Sequence, residues 1–297
     1  MYITVRKMSD TDYNKAWELI CFEDADAEFI LAFKNKEENF YCVFDDDRLV
    51  GIIQLIVEKD AFLYIFISPA FRNKGIGLIA LKLCEERLYK NSVEKITTTY
   101  RTDNIQSKAF ANKFGYTRKF SSAYMKYTGN RFDIPEQRIR NYRDKDYDSA
   151  HEMYAKAFHE MRVRVGDFPD SIIEKPSENM RKYWAETGDE RFVYIHDDII
   201  VGYAHIEEDE IGSVSVKTEY QGQGIGRNFV KYICNKILDK GNDEVSLYCV
   251  VGNKARRLYD SLGFQEVYIA EYATKSVVYN DIYNENRLHY VQTDKLK

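Results

Sequence analysis

Apolar residues fall on one stripe in two stretches of the chain. In the first they are Ile76, Ile79, Ala80, Leu83, Cys84 and Leu88; in the second Ile225, Phe229, Val230, Ile233, Cys234, Ile237 and Leu238. Steps of one to five residues that keep returning to one side of a helical wheel predict amphipathic helices packed by that face on a sheet. Ahead of each helix stands a short β-like run, Phe62–Ile67 and Ile211–Val216. Two antiparallel hairpins are expected, Val50–Glu58 with Ala61–Ile67 and Ile199–Ile206 with Glu210–Val216. Each half of the chain reads β, α, (α), β, β, β, loop–α, β, α, β.

The halves are copies in order as well as in pattern. Val5–Tyr13 matches Ile139–Tyr147 at an offset of 134, and both read as a strand, an acidic helix start and a helix. Leu49-Val50-Gly51 matches Ile200-Val201-Gly202 at 151, Asn104 matches Asn253 at 149, and Phe114-Gly115-Tyr116 matches Leu262-Gly263-Phe264 at 148. A kept order of elements at a near-constant offset is a tandem duplication. The step from 134 to 151 places about seventeen extra residues of the second copy within Val163–Glu190. The copies meet near Thr128–Glu136, where Gly129, Asn130 and Pro135 interrupt the pattern. The expected domains are 1–132 and 137–275, joined by a linker at 133–136 and followed by a tail, 276–297.

Composition narrows the class. With 297 residues, 44% hydrophobic and 31% charged, the chain is long enough for two cores. No apolar run approaches the roughly 18–20 residues that span a bilayer. Met1–Arg6 reads at once as a strand, with no leader ahead of it. Cys21, Cys42, Cys84, Cys234 and Cys249 sit singly in apolar contexts, which reads as reduced thiols in a cytoplasmic protein. A net charge of −5 argues against general nucleic-acid binding. His151 and His159 lie eight apart, not a usual metal-pair spacing, and no metal is expected.

Between each β-like run and its helix lies a glycine turn: Arg72-Asn73-Lys74-Gly75-Ile76-Gly77 and Gln221-Gly222-Gln223-Gly224-Ile225-Gly226, 149 positions apart. Strand, glycine turn and helix aim backbone N–H groups at a phosphate, with the helix start adding partial positive charge. Arg72, Lys74 and Arg227 add cationic charge nearby. Arg227 stands where a G-x-G-x-x-G fingerprint needs its third glycine, and no G-x-x-x-x-G-K-[ST] occurs.

Strand, [Arg/Gln]-x-x-Gly-x-Gly, long helix, strand, then Asn and Tyr-x-x-x-Gly-Phe resembles the GNAT superfamily of acetyl-CoA-dependent N-acetyltransferases. The resemblance covers nearly the whole chain, and the tandem layout is similar to that of mycothiol synthase without carrying its substrate. It implies an α/β (α+β) fold of two GNAT-like domains, each a mixed central sheet flanked by helices. It also implies that the amides of Gln221–Gly226 and Arg72–Gly77 hold the cofactor pyrophosphate. Val216 and Ile67 would lend an amide to the thioester carbonyl, and Asn253 a cofactor contact, although one residue is missing between Asn253 and Tyr259.

Amide formation from an alkylammonium and a thioester needs one proton removed from the amine, whose pKa is near 10, and one offered to the departing thiolate. By the family pattern Tyr259, four before Gly263, is the acid, and Glu210, six before Val216, is the base; Glu207 and Glu208 are substitutes. His205 reads first as a hydrogen-bonded strand histidine and second as an assistant. The first copy has Ala111 and Ala61 at those two positions and cannot move protons there. The second copy is therefore the expected catalyst. Its insert, with Phe168, Tyr183, Trp184, Asp167, Glu178 and Glu186, is expected to shape the pocket of a small cationic amine. Two other readings stay open: a non-catalytic acyl-CoA-binding sensor, and an aminoacyl or peptidyl transferase, against which the phosphate-directed loops and the negative charge weigh.

Overall fold

A computed structural model describes residues 2–134 and 138–277. The first half runs β1 (Ile3–Lys7), α1 (Asp10–Leu19), α2 (Ala27–Lys34), β2 (Phe40–Asp45), β3 (Arg48–Val57), β4 (Ala61–Ile67), α3 (Ile76–Lys90), β5 (Lys95–Arg101), α4 (Ile105–Lys113) and β6 (Thr117–Tyr127). The second runs β7 (Ile139–Asn141), α5 (Tyr147–Val165), α6 (Glu178–Glu186), β8 (Arg191–His196), β9 (Ile199–Glu207), β10 (Glu210–Val216), α7 (Ile225–Asp239), β11 (Val245–Val250), α8 (Arg256–Leu262) and β12 (Gln265–Ser276). The order of major elements matches that expected from the pattern. The insert lengthens the first helix of the copy, from ten residues in α1 to nineteen in α5, and adds the segment leading to α6.

The packed units do not follow the expected division of the chain. Among the described residues, one comprises 2–119 with 270–277, the other 120–134 with 138–269. In the first, β1 to β5 lie in sequence order and the free edge of β5 takes Ala270–Ser276 of β12, antiparallel. In the second, the order is β6-β11-β10-β9-β8-β7, with Ser122–Tyr127 of β6 antiparallel to Val245–Val250. The last strand of each copy thus closes the sheet of the other copy. An unpaired edge exposes a row of N–H and C=O groups, and either closing strand satisfies it. The tail after residue 277 lies outside the described residues.

Each sheet is covered on both faces. In unit 1, α3 buries Ile76, Ile79, Ala80, Cys84 and Leu88, while α1 and α2 cover the other face, where Phe29 and Phe33 of α2 pack with Tyr64 and Phe66 of β4. In unit 2, α7 buries Ile225, Phe229, Val230, Ile233, Cys234 and Ile237, the stripe the spacing predicts. The opposite face carries α5 and α6 over Tyr147, Met153, Trp184 and Tyr203. Four of the five cysteines are buried and all five are free. Burial pushes the Cys42, Cys84 and Cys234 thiols up to about 12, so they stay protonated.

The same ionic clasp starts both copies. Arg6 grips Asp12 with two hydrogen bonds of 2.7 and 2.8 Å, and Arg140 grips Asp146 with two of 2.6 and 2.9 Å. The Ser9 and Arg143 amides donate to the same carboxylates, tying strand to helix start. Arg6 holds the Asp12 carboxyl well below its ordinary range, against a smaller upward push from burial. A depressed folded-state pKa contributes stability that is present above the unfolded value, near 3.9, and is lost as pH falls through the folded one. Asp12→Asn is therefore expected to destabilise unit 1 by about 1–2 kcal/mol at pH 7, given the partial exposure of Arg6. Thermal melts should show the gap to wild type closing below about pH 4.

Candidate functional site

Two wedges open where the sheets stop pairing. β4 and β5 are parallel partners only at Ala61↔Ile96 and Phe62↔Thr97, although β4 runs on to Ile67. β10 and β11 pair only at Glu210↔Ser246, and β10 runs on to Val216. Beyond those points the strands diverge, which exposes the facing edge of β10. A side chain holds each strand end: Arg72 Nε donates to the Ile67 carbonyl at 2.8 Å, and Gln221 Nε2 to the Val216 carbonyl at 2.9 Å. The arginine and glutamine of the two loops therefore play one structural part.

The loops themselves are superimposable in conformation. Gly75 and Gly224 cap α3 and α7 with φ of 81° and 84°, and Asn73 and Gly222 two residues earlier have φ of 62° and 77°. Left-handed backbone at alternating positions turns successive amides toward one concavity. Neither helix has a side-chain cap, so the amides of its first turn, from Ile76 and Gly77 or Ile225 and Gly226, lack intrahelical partners. A Cβ on Gly75, Gly222 or Gly224 meets no heavy atom within 4 Å, so the space in front of the amides is open. A diphosphate fits this donor set.

The flanking side chains point elsewhere than the expected screening of phosphate. Arg72 forms a 2.7 Å ion pair with Asp24, Lys74 Nζ donates to the Ala70 carbonyl, and Gln223 Nε2 donates to the Glu219 carbonyl. Arg227 donates to Ser261 Oγ. Backbone amides rather than these cations form the cradle. Asn253 Oδ1 accepts from the Ala255 amide at 3.0 Å, a local turn, whereas Asn104 Oδ1 caps α4 at Ser107. The missing residue after Asn253 shifts that cap by one position.

Tyr259 sits on α8, half-buried against the core of unit 2, its ring edge-on to Phe264 at 5.8 Å. Burial, with the Cys249 and Cys234 sulfurs nearby, pushes its hydroxyl far above the ordinary phenol range. Its counterpart Ala111 is buried, and the preceding Phe110 approaches Gly77 and Ile67, where unit 2 has Leu258 beside Gly226 and Val216. Glu210 is half-buried at the closed end of the unit 2 wedge, opposite Glu207 across the hairpin.

One group beside the wedge was not among the expected catalysts. His205 Nδ1 lies 2.7 Å from Ser213 Oγ, and His205 Nε2 lies 2.9 Å from Glu207 Oε1. The hairpin register slips between Ile211 and Ser213, which brings Ser213 rather than Gly212 opposite His205. The imidazole lies over Gly212, where a Cβ would come within 2.4 Å of Nε2. Counting back from the turn would have found this pair had the slip been foreseen.

The aromatics of the insert do not line a pocket as expected. Trp184 is 3% exposed, stacked on Tyr203 at 4.4 Å and edge-on to Tyr147 and Tyr154. Phe168 packs on Phe120, and Tyr183 lies over the buried Arg191 guanidinium. Apolar burial takes Trp184 into the core, while Tyr183 stays exposed and Phe168 half-buried.

Comparison with known proteins agrees with this geometry. The acetyltransferase (GNAT) family matches residues 3–116, and an acetyltransferase (GNAT) domain matches residues 154–281. An uncharacterized protein of Bacillus subtilis strain 168, YxbD, is 38% identical over 72 residues, which are 24% of this chain and 45% of that protein. Thialysine N-epsilon-acetyltransferase of Bos taurus is 42% identical over 59 residues, 20% of this chain and 35% of that protein. The chain thus matches less than half the length of either relative. A GCN5-related N-acetyltransferase from Sphaerobacter thermophilus superposes with a TM-score of 0.68 at 18% identity, over 93% of this chain and 96% of that one. A tandem GNAT protein from the clavulanic acid biosynthesis pathway gives 0.65 at 16%, over 94% of this chain and all of that one. At such identities the likeness is one of fold.

Proposed function

Because the chain belongs to the GNAT family of acetyltransferases, matched in two consecutive segments, we propose that it transfers an acetyl group from acetyl-CoA to the primary amine of a small cationic acceptor, with the chemistry in unit 2. The observation that carries this reading is the uncapped glycine start of α7 beside the early end of the β10–β11 pairing. An anion cradle and an exposed strand edge stand at one place there. Acetyl-CoA, when bound, supplies the acetyl group as a thioester.

The residues divide the work. The Gln221–Gly226 amides hold the diphosphate, and Gln221 fixes Val216, the end of the strand edge that faces the thioester. Tyr259 keeps its proton at any working pH and so serves the sulfur as a hydrogen-bond donor. The hairpin end, with Glu210 and Glu207, supplies the negative field that favours an ammonium. Unit 1 keeps the cradle but has Ala111 and Ala61 where Tyr259 and Glu210 stand. Its role is structural, or cofactor binding without turnover. The bovine relative is named for acetylating the ε-nitrogen of thialysine, and a flexible alkylamine of that kind belongs to the acceptor class proposed.

The purified chain should release free coenzyme A from acetyl-CoA only when an amine from a broad panel of alkyl diamines, polyamines and amino acids is present. Micromolar binding of coenzyme A with no acetylation of any amine would instead establish the sensor reading.

A further inference from the structure

Resting on that reading, we propose that Ser213, His205 and Glu207 form the proton outlet of unit 2, so that the acceptor's proton passes through Ser213 to the imidazole. In a neutral imidazole one ring nitrogen donates and the other accepts. Glu207 is an acceptor only, so Nε2 carries the proton and donates to it at 2.9 Å. Nδ1 then accepts from the Ser213 hydroxyl at 2.7 Å. The chain is polarised in one direction: serine to imidazole, imidazole to carboxylate.

The step balances with no outside reagent. Ser213 Oγ takes a proton from the bound ammonium as it passes its own to His205 Nδ1. The amine becomes neutral, the imidazole becomes imidazolium, and Glu207 stays ionised to offset that charge. The His205 hydrogen bond already holds the Glu207 carboxyl below its ordinary range. The proton then leaves to water from the outer end, since Glu207 is exposed while Ser213 is buried.

Position favours this outlet over Glu210 as the first acceptor. Glu210 stands where β10 and β11 still pair, whereas Ser213 lies farther along β10, past the last paired residue. The charged and titratable groups around the imidazole are few. Glu207 and the Tyr203 phenol flank it on β9, Arg191 is its register partner on β8, and Glu210 is opposite Glu207 on β10. Tyr154 of α5 packs edge-on to Tyr203 at 5.5 Å, and the charges of Glu174, Arg162, Arg191 and Glu207 are felt at its hydroxyl.

The first copy supplies an internal control. At offsets of 151 for the first hairpin arm and 149 for the second, the positions of His205, Glu207 and Ser213 carry Gln54, Ile56 and Tyr64. Gln54 and Tyr64 are again register partners, but β3 and β4 pair without a slip and neither residue can act as an imidazole does. The outlet is present in the same unit as Tyr259 and absent from the other.

The test combines spectroscopy of the free protein with pH profiles of three variants. Nitrogen-15 imidazole spectra at pH 8 should show the His205 ring protonated on Nε2 alone, and Ser213→Ala should shift its Nδ1 resonance. A proton on Nδ1 overturns the proposal whether or not an acceptor is known. With an acetylated amine in hand, H205Q should lower kcat about 10²-fold at pH 7. The loss should shrink toward pH 9.5, where the amine deprotonates in bulk. Ser213→Ala should follow the same course, and Glu210→Gln should cost less than either. Equal losses at every pH for His205→Gln and Ser213→Ala, with unchanged melting, would show a merely structural pair. A larger loss in Glu210→Gln than in His205→Gln makes Glu210 the base and overturns the outlet while acetyl transfer stands. Absence of any turnover overturns both.

Discussion

Gly224→Leu should lose acetyl transfer by about 10²-fold or more and weaken coenzyme A binding, while Gly75→Leu should have a milder effect on acetyl transfer. The two glycines are a matched pair. Each starts a fifteen-residue helix, each has a left-handed φ, 84° and 81°, and a Cβ on each meets no heavy atom within 4 Å. The conformational cost of a leucine in left-handed backbone, about 1–2 kcal/mol, is therefore the same in both and within the stability of a folded domain. What differs is what the new side chain obstructs. In unit 2 it enters the space before the amides that lead to Tyr259 and the β10 edge. In unit 1 it enters a cradle without a proton-handling residue at the Tyr259 or Glu210 position. Calorimetric binding of coenzyme A, initial rates and melting curves of the two variants decide the matter. Equal loss of activity in both would place chemistry in unit 1 as well.

Tyr259→Phe is expected to lower kcat by about 10²-fold with little change in melting temperature or coenzyme A affinity. The ring stays packed against Phe264, so only the hydroxyl is removed. Because burial raises that hydroxyl well above a thiol's ordinary pKa near 8.5, the tyrosine is a weaker acid than the departing thiol. Its contribution is a hydrogen bond offered as negative charge develops on sulfur. The deficit should therefore be flat with pH across the neutral range, in contrast to the pH-dependent deficit of His205→Gln. It should also shrink for acyl donors with more acidic leaving thiols. A kcat within threefold of wild type would remove Tyr259 from the mechanism.

The site was legible in the sequence to different depths. The two glycine turns were read correctly because a left-handed residue at a helix start is a local requirement, visible as glycine wherever it stands. The contrast of Tyr259 with Ala111 was equally plain, since it needs only the count back from Gly263 and Gly115. His205 was seen but read first as a packed strand residue. Its partner depends on the one-residue slip at Gly212, and sequence alternation alone pairs it with the glycine. The extra residues of the second copy begin ahead of Val163, in the lengthened α5, and Trp184 of the insert was misjudged. Trp184 looked like a pocket wall, but it is a core residue whose stack on Tyr203 requires α6 to fold back over β9.

Amino-acid order alone determined the duplication, the succession of elements, the amphipathic helices and the two glycine turns that start helices. Each of these depends on neighbours within a few residues or on a repeat of the whole pattern. Only the tertiary structure decided which strand closes which sheet. Thr117–Tyr127 and Gln265–Ser276 both read as final strands, and hydrogen bonding to a β edge carries no record of which copy a strand came from. The same holds for Ser213 and His205, joined by a backbone slip whose energy is settled by packing across the sheet.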